Sequence, residues 1–125
     1  MSAWKEYVGA VVLEIDGREY EVIDLNVTHD TGKKLVKTMN RTGKALGFCR
    51  GVKTYELQLT AAIPVNDDYH WEDMDGSKIS ITPVSGNGQR VSYINCLTQK
   101  IGEKYEAENE ARRDITLLAQ ARIVE

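Results

Sequence analysis

VKTYELQLTAAI, from Val52 to Ile63, decides the fold class. Tyr55, Leu57, Leu59, Ala61 and Ile63 alternate with Thr54, Glu56, Gln58, Thr60 and Ala62, the period of a strand with one face on a core and one face in water. Pro64 has no N–H to give a ladder and ends it. Upstream, AVVLEID from Ala10 to Asp16 reads as a strand and is followed at once by Asp16-Gly17. Asp-Gly between two apolar runs signals a hairpin, because the tight turns that match strand twist need positive φ. The returning strand, about Glu19 to His29, places Ile23, Leu25 and Val27 on one face and Asp24, Asn26 and Thr28 on the other.

Downstream of Pro64, Asn66, Asp67 and Asp68 have the character of an N-cap and an acidic first helical turn, so a short helix is expected to about Met74, closed by Gly76. KISITPV from Lys78 to Val84 is a further strand, and Ser85-Gly86-Asn87-Gly88 is a hairpin loop into a strand from Arg90 to Gln99. Gly102 to Asn109 is a polar connection. The chain closes with a strand from about Arg113 to Val124, where Ile115, Leu117, Ala119, Ala121 and Ile123 oppose Thr116, Gln120 and Arg122. Six or so strands and one short helix make the class all-β, a β-sandwich or barrel-like domain.

Between the second and third of these strands lies TGKKLVKTMNRTGKALGFCRG, Thr31 to Gly51, with no sustained alternation. It holds six of the 16 Lys and Arg and none of the 19 Asp and Glu, so a loop at plus 6 sits beside a body at minus 9. Such asymmetry can make two copies complementary. Loops of more than about 12 to 15 residues without structure of their own are functional or disordered. Leu35, Val36, Met39, Leu46 and Phe48 give this one something to bury, which favours an arm that orders against a partner. Composition alone leaves open a solvated, mobile connection in a monomeric domain.

The 125 residues fit a single domain, 1–125, and the formal net charge of -3 argues against a dedicated nucleic-acid binder. No apolar run approaches the roughly 20 residues that span a bilayer, and MSAWKEYVG lacks the apolar core of a signal peptide; the expectation is a soluble, cytoplasmically made product. Cys49 and Cys96 are expected to be free thiols. Gly43-Lys44 is not a phosphate-binding loop, since Thr38 stands at the position of its first Gly and Ala45 at that of its magnesium ligand. The acidic run from Asp67 to Asp75 fails the calcium-loop spacing, with Trp71 at the first position and Thr82 at the twelfth. Cys49 with His29 or His70 is the only Cys and His combination available to nucleophilic catalysis, and nothing in the spacing brings them together. No catalytic residue, metal site or cofactor is expected.

The order of the pieces then matters. The hairpin VVLEIDGREYEVIDLNV is followed by a long Gly- and Lys-rich loop ending GKALGFCRG, with Gly43, Gly47 and Gly51 at fixed spacing. After it come VKTYELQLTAAIPV, a short acidic WED helix, two strands and DITLLAQARIV. This layout resembles the bacteriophage tail tube proteins, small all-β subunits that stack as hexameric rings into the DNA conduit of a tail.

The resemblance implies a structural protein and not an enzyme, whose sheet joins those of five neighbours into a barrel around a lumen. It implies that the long loop reaches adjacent subunits, with Lys33, Lys34, Leu35, Val36, Lys37, Met39, Arg41, Lys44, Leu46, Phe48 and Arg50 at the subunit interface. The polar faces of the second and third strands, Asp24, Asn26, Thr28, Glu56, Gln58 and Thr60, are the lumen candidates. The implied partners are other copies of the chain, a tail terminator, baseplate or tail-tip proteins and a possible sheath. DNA is transient cargo, there is no membrane contact, and the location is a virion tail assembled in the host cytoplasm. The alternatives are a tube subunit of a related contractile injection or secretion system, and a small monomeric β binding module.

Overall fold

A computed structural model describes residues 4–66, 69–84 and 88–125. The Asp-Gly turn forms as its sequence demands: β1 (Val11–Ile15) and β2 (Arg18–Tyr20) pair antiparallel around Asp16 and Gly17, both at positive φ, 51° and 87°. The remaining strands are β3 (Asp24–Asp30), β4 (Lys33–Val36), β5 (Gly47–Arg50), β6 (Thr54–Ala62), β7 (Asp75–Pro83), β8 (Val91–Lys104), β9 (Arg112–Ala119) and β10 (Ala121–Val124). The main sheet runs β2-β1-β7-β8-β9-β6-β3, with β10 also on β8 and every pairing antiparallel. The strands β4 and β5 form a separate ribbon.

The order dictates the shape. The two edge strands, β2 and β3, are separated in sequence only by Glu21, Val22 and Ile23, a linker that spans at most ~14 Å. Seven strands laid flat would put those edges ~29 Å apart. The sheet therefore curls into a half-barrel, and the all-β, barrel-like expectation holds.

Its concave side carries the core: Leu13, Ile15, Leu57, Leu59, Ile79, Tyr93, Cys96, Ile115 and Leu117 are buried, and Leu25, Val27 and Tyr55 pack against them. The alternation of Val52 to Ile63 is realised in β6, whose Leu57, Leu59 and Ala61 point into this core.

Three expectations are corrected. The helix to Met74 is reduced to one 3-10 turn, Trp71–Asp73, and His70 at its start makes no side-chain cap; Asn66 begins no helix, and Asp67 and Asp68 of the expected acidic first turn lie outside the described residues, as do Ser85, Gly86 and Asn87 of the expected hairpin loop. Core burial wins over helix propensity here, because Trp71 and Met74 are both drawn inward. The Thr98 hydroxyl donates to the Trp71 carbonyl and ties the turn down. Gly76, at φ 85°, lies within β7 beside a register shift instead of closing a helix.

The single strand from Glu19 to His29 is two strands on opposite edges. Tyr20 and Val22 face the core, then Leu25 and Val27 do, so the apolar phase slips by one residue and Ile23 is left 45% exposed. The closing strand is likewise broken at Gln120, whose N–H donates to the Ile94 carbonyl (3.0 Å) while its side-chain oxygen accepts from Asn95 (2.6 Å). Ile123 beyond that break is exposed and does not continue the buried face of Ile115 and Leu117.

Candidate functional site

The stretch Thr31 to Gly51 is not an irregular loop. It is a hairpin arm, β4 against β5, with Lys33 opposite Arg50, Lys34 opposite Cys49, Leu35 opposite Phe48 and Val36 opposite Gly47. Alternation was hard to see because each strand is four residues long and no face of either is buried. Leu35 and Phe48 share one face. The Lys33 ammonium and the Arg50 guanidinium lie 6.0 and 5.6 Å from the Phe48 ring centre, so two cations flank an apolar pair.

Lys37, Met39, Arg41, Lys44 and Leu46 form the tip, which is organised by Asn40. Its amide donates to the Thr38 and Lys44 carbonyls (3.1 and 2.8 Å), and its side-chain oxygen accepts from the Thr42 N–H (3.0 Å). Apart from Asn40, every residue from Lys33 to Lys53 is exposed. A two-stranded ribbon with nothing packed on it is marginal in water. Exposing Leu35, Met39, Leu46 and Phe48 on one projecting element leaves apolar surface for a partner.

The arm leaves the body through a neck of two glycines. The Gly51 N–H donates to the Gly32 carbonyl (2.7 Å), and the Gly32 N–H donates to the Asp30 side chain (2.8 Å). Gly32 has φ 76°, and a Cβ there would sit 2.5 Å from the Val52 carbonyl oxygen, which is backbone and cannot swing away. Gly43 in the tip has φ 68° with open space around it. Gly43→Ala is therefore expected to cost about 1 kcal/mol, the left-handed penalty alone, and Gly32→Ala at least about twice that. Urea denaturation of the two variants measures the difference, and equal costs would refute a close approach at the neck.

The six lumen candidates lie together. Asp24 pairs with Thr60, Asn26 with Gln58 and Thr28 with Glu56 across β3 and β6, so all six project from one face, opposite the core. Sequence reasoning stopped there, but β9 continues the face: Asp114 and Thr116 pair with Thr60 and Gln58, and Lys100 of β8 pairs with Thr116. The Thr60 hydroxyl donates to Asp114 at 2.9 Å and the Gln58 amide to Glu56 at 3.1 Å. The signal for Asp114 was available, since DITLLA alternates as β6 does. The face turns apolar at the arm end, where Leu118 opposes Glu56 and Leu97 opposes Leu118.

The imagined catalytic groups are dispersed. Cys49 is exposed on the arm, His29 packs between the Tyr55 and Tyr93 rings with Nε2 3.4 Å from the Tyr93 hydroxyl, and His70 lies on the 3-10 turn's approach. Cys96 is in the core, and burial pushes its thiol up to about 11, which makes it a poor nucleophile. His70, Glu72 and Asp73 offer ligand atoms within 4.8 Å of one another, but all three are exposed on a single turn. Among the described residues, no helix is long and apolar enough to cross a membrane.

No protein-family model matches the sequence, and no curated protein resembles it at the sequence level. Solved structures do match. The sheath/tube terminator of an extracellular contractile injection system, PVC, superposes with TM-score 0.71 at 12% identity over 100% of this chain and 99% of its own. The tube-terminating cap of the anti-feeding prophage, AFP, gives 0.69 at 13% over 100% and 95%. A chain of the native gene transfer agent virion gives 0.64 at 9% over 92% and 95%. These are tube, cap and particle components and not enzymes. At such identities the likeness is one of fold, and the fold of this chain is that of the phage-like tail tube proteins.

Proposed function

We propose that this chain is a single-domain structural subunit, not an enzyme, that self-assembles into stacked hexameric rings forming the tail tube of a phage or phage-like particle. The observation that carries this is a tail-tube fold in which, among the described residues, two unpaired edges on different strands flank the polar face. One is the outer edge of β3. The other is the second half of β8, from Lys100 to Lys104, which pairs with β9 on one side while its pairing with β7 ends at Leu97. The four-stranded segment between them, β8-β9-β6-β3, carries the polar face. Two different edges make a heterologous contact, which closes into a ring when the rotation allows, and closure removes edges that would otherwise invite aggregation.

The count of six is the one the resemblance implies. Six four-stranded segments, roughly 24 strands at ~4.8 Å, give a backbone circle of at least ~115 Å, or ~37 Å across. The polar face of Asp24, Asn26, Thr28, Glu56, Gln58 and Thr60 would line that bore, and the arm would hold the next subunit. At the paired positions of this face Asp24, Glu56 and Asp114 outnumber Lys100, and a lining with carboxylates in excess repels phosphate and keeps DNA in transit. The partners on this reading are further copies, a terminator at the tube's end, baseplate or tail-tip proteins and a sheath where the tail contracts. DNA is ejected through the tube into the host as cargo only, and the place is the virion tail, assembled in the host cytoplasm.

One of the neighbours belongs to an extracellular contractile injection system, which favours one second reading, the tube of a contractile injection system. A packaged genome in the native particle separates the two. Size-exclusion chromatography with negative-stain microscopy of the purified protein tests the shared core of both: rings or tubes are expected, and a lasting 14.1 kDa monomer would oppose it.

A further inference from the structure

The arm leaves the body at the Thr54 end of β6, and at the other end of that strand there is a groove that fits it. The groove, of about 480 Å³, lies between the β2 edge and the chain just past Ala62. Tyr20, Tyr69 and Trp71 form its floor, with ring centres 4.9 Å apart for Tyr20 and Tyr69 and again for Tyr69 and Trp71. Glu19 and Glu21, both exposed, stand on its rim. Arg18 already lies over the Tyr20 ring, 5.4 Å from its centre, so the floor accepts a guanidinium from the protein's own chain.

We infer that this groove receives the arm tip of a second copy, and that the contact is the axial, head-to-tail joint between successive subunits. The inference rests on reading the arm as an assembly element, and it names where the arm goes. Charge complementarity carries it. The tip offers Lys37, Arg41 and Lys44 with no carboxylate, and Met39 and Leu46 as exposed apolar groups. The groove offers the Glu19 and Glu21 carboxylates against one cation of its own, Arg18, and an aromatic floor, which together take a further cation by ion pairing and by its attraction to ring faces. Neutral or acidic arms would gain nothing from the rim.

The occupant is a second copy because the chain's own arm does not lie in the groove. The neck and the groove are separated by the length of β6, nine residues or ~27 Å. The arm is exposed along its length instead of folded back on the body. A donor at one end and an acceptor at the other make a contact that repeats along an axis.

Charge reversal tests the pairing. One chain carries Glu19→Lys and Glu21→Lys, one carries Lys37→Glu, Arg41→Glu and Lys44→Glu, and a third carries all five. Circular dichroism confirms that each is folded, which the exposure of every altered residue makes the expected result. The concentration giving half-maximal sedimentable tubes is expected to rise about tenfold or more for either reversal alone. It is expected to return to within about threefold of the parent when both are combined, since like charges then become opposite again.

The inference is overturned if the groove reversal assembles as the parent does, or if the combined chain is as impaired as the tip reversal. Its failure is distinguishable from failure of the arm reading. A tip reversal that blocks assembly beside a silent groove reversal removes only the groove, whereas normal tubes from both reversals and from an arm deletion remove the arm itself.

Discussion

Deletion of Lys34 to Lys44 is expected to leave a folded monomer that no longer polymerises. Among the described residues the arm pairs only with itself, β4 to β5, and the core contains none of its residues. Shortening a surface loop changes closure entropy by less than about 1 kcal/mol, so the monomer's urea midpoint should barely move. Assembly loses much more. Burying two or three of the side chains the deletion removes, such as Leu35, Val36 and Met39, contributes on the order of 5 kcal/mol, which is several thousandfold in association. Negative-stain microscopy at concentrations where the parent forms tubes reads the outcome, and normal tubes from the deletion would rule out an assembly role for the arm.

The second large effect concerns the bore. Asp24→Lys with Glu56→Lys is expected to leave tubes intact and slow the passage of DNA. Both residues lie on the polar face, outside the core and outside the arm's own strands, so the fold has little reason to change. The lining, however, would become attractive to phosphate in every subunit at once. Purified tubes of the variant should then retain duplex DNA in low salt and release it as salt rises, because backbone contacts release counterions with a steep salt dependence. Infectivity of particles carrying the variant should fall by about tenfold or more. Unchanged infectivity, with no retained DNA, would count against this lining.

The strands that alternate cleanly were legible. Leu57, Leu59, Ala61, Ile115 and Leu117 were placed on buried faces by pattern, and the structure buries them. The Asp16-Gly17 turn was legible for a different reason, because only a few residue pairs tolerate two successive positive φ values. Three features were obscured, each by a physical competitor to the local pattern. The slip between Val22 and Leu25 marks the place where the chain crosses from one edge of the half-barrel to the other, and a period-2 reading that tolerates one mismatch passes over it. Trp71 and Met74 override an acidic helix start because the core needs their side chains. The arm's strands bury nothing within one chain, so burial left no periodic trace in LVKTMN or GFCR.

The polar face was half legible. Asp24, Asn26, Thr28, Glu56, Gln58 and Thr60 were collected correctly onto one side because both strands alternate. Their neighbours Asp114 and Lys100 came only with the register of β9 and β8, which no local pattern contains. The glycine neck was visible as Gly32 and Gly51 but not as a contact, since it needs two backbones 19 residues apart to meet.

The central claim is that the free edges of β3 and β8 join between copies into a closed ring around the polar face. End-on class averages from electron microscopy of the purified protein test it most directly. The account predicts six-fold rings with an open centre, stacking into tubes as concentration rises, and a β3 strand of one copy beside the β8 strand of the next at higher resolution. A protein that remains a 14.1 kDa monomer at every concentration, or rings whose polar face is turned outward, would contradict it.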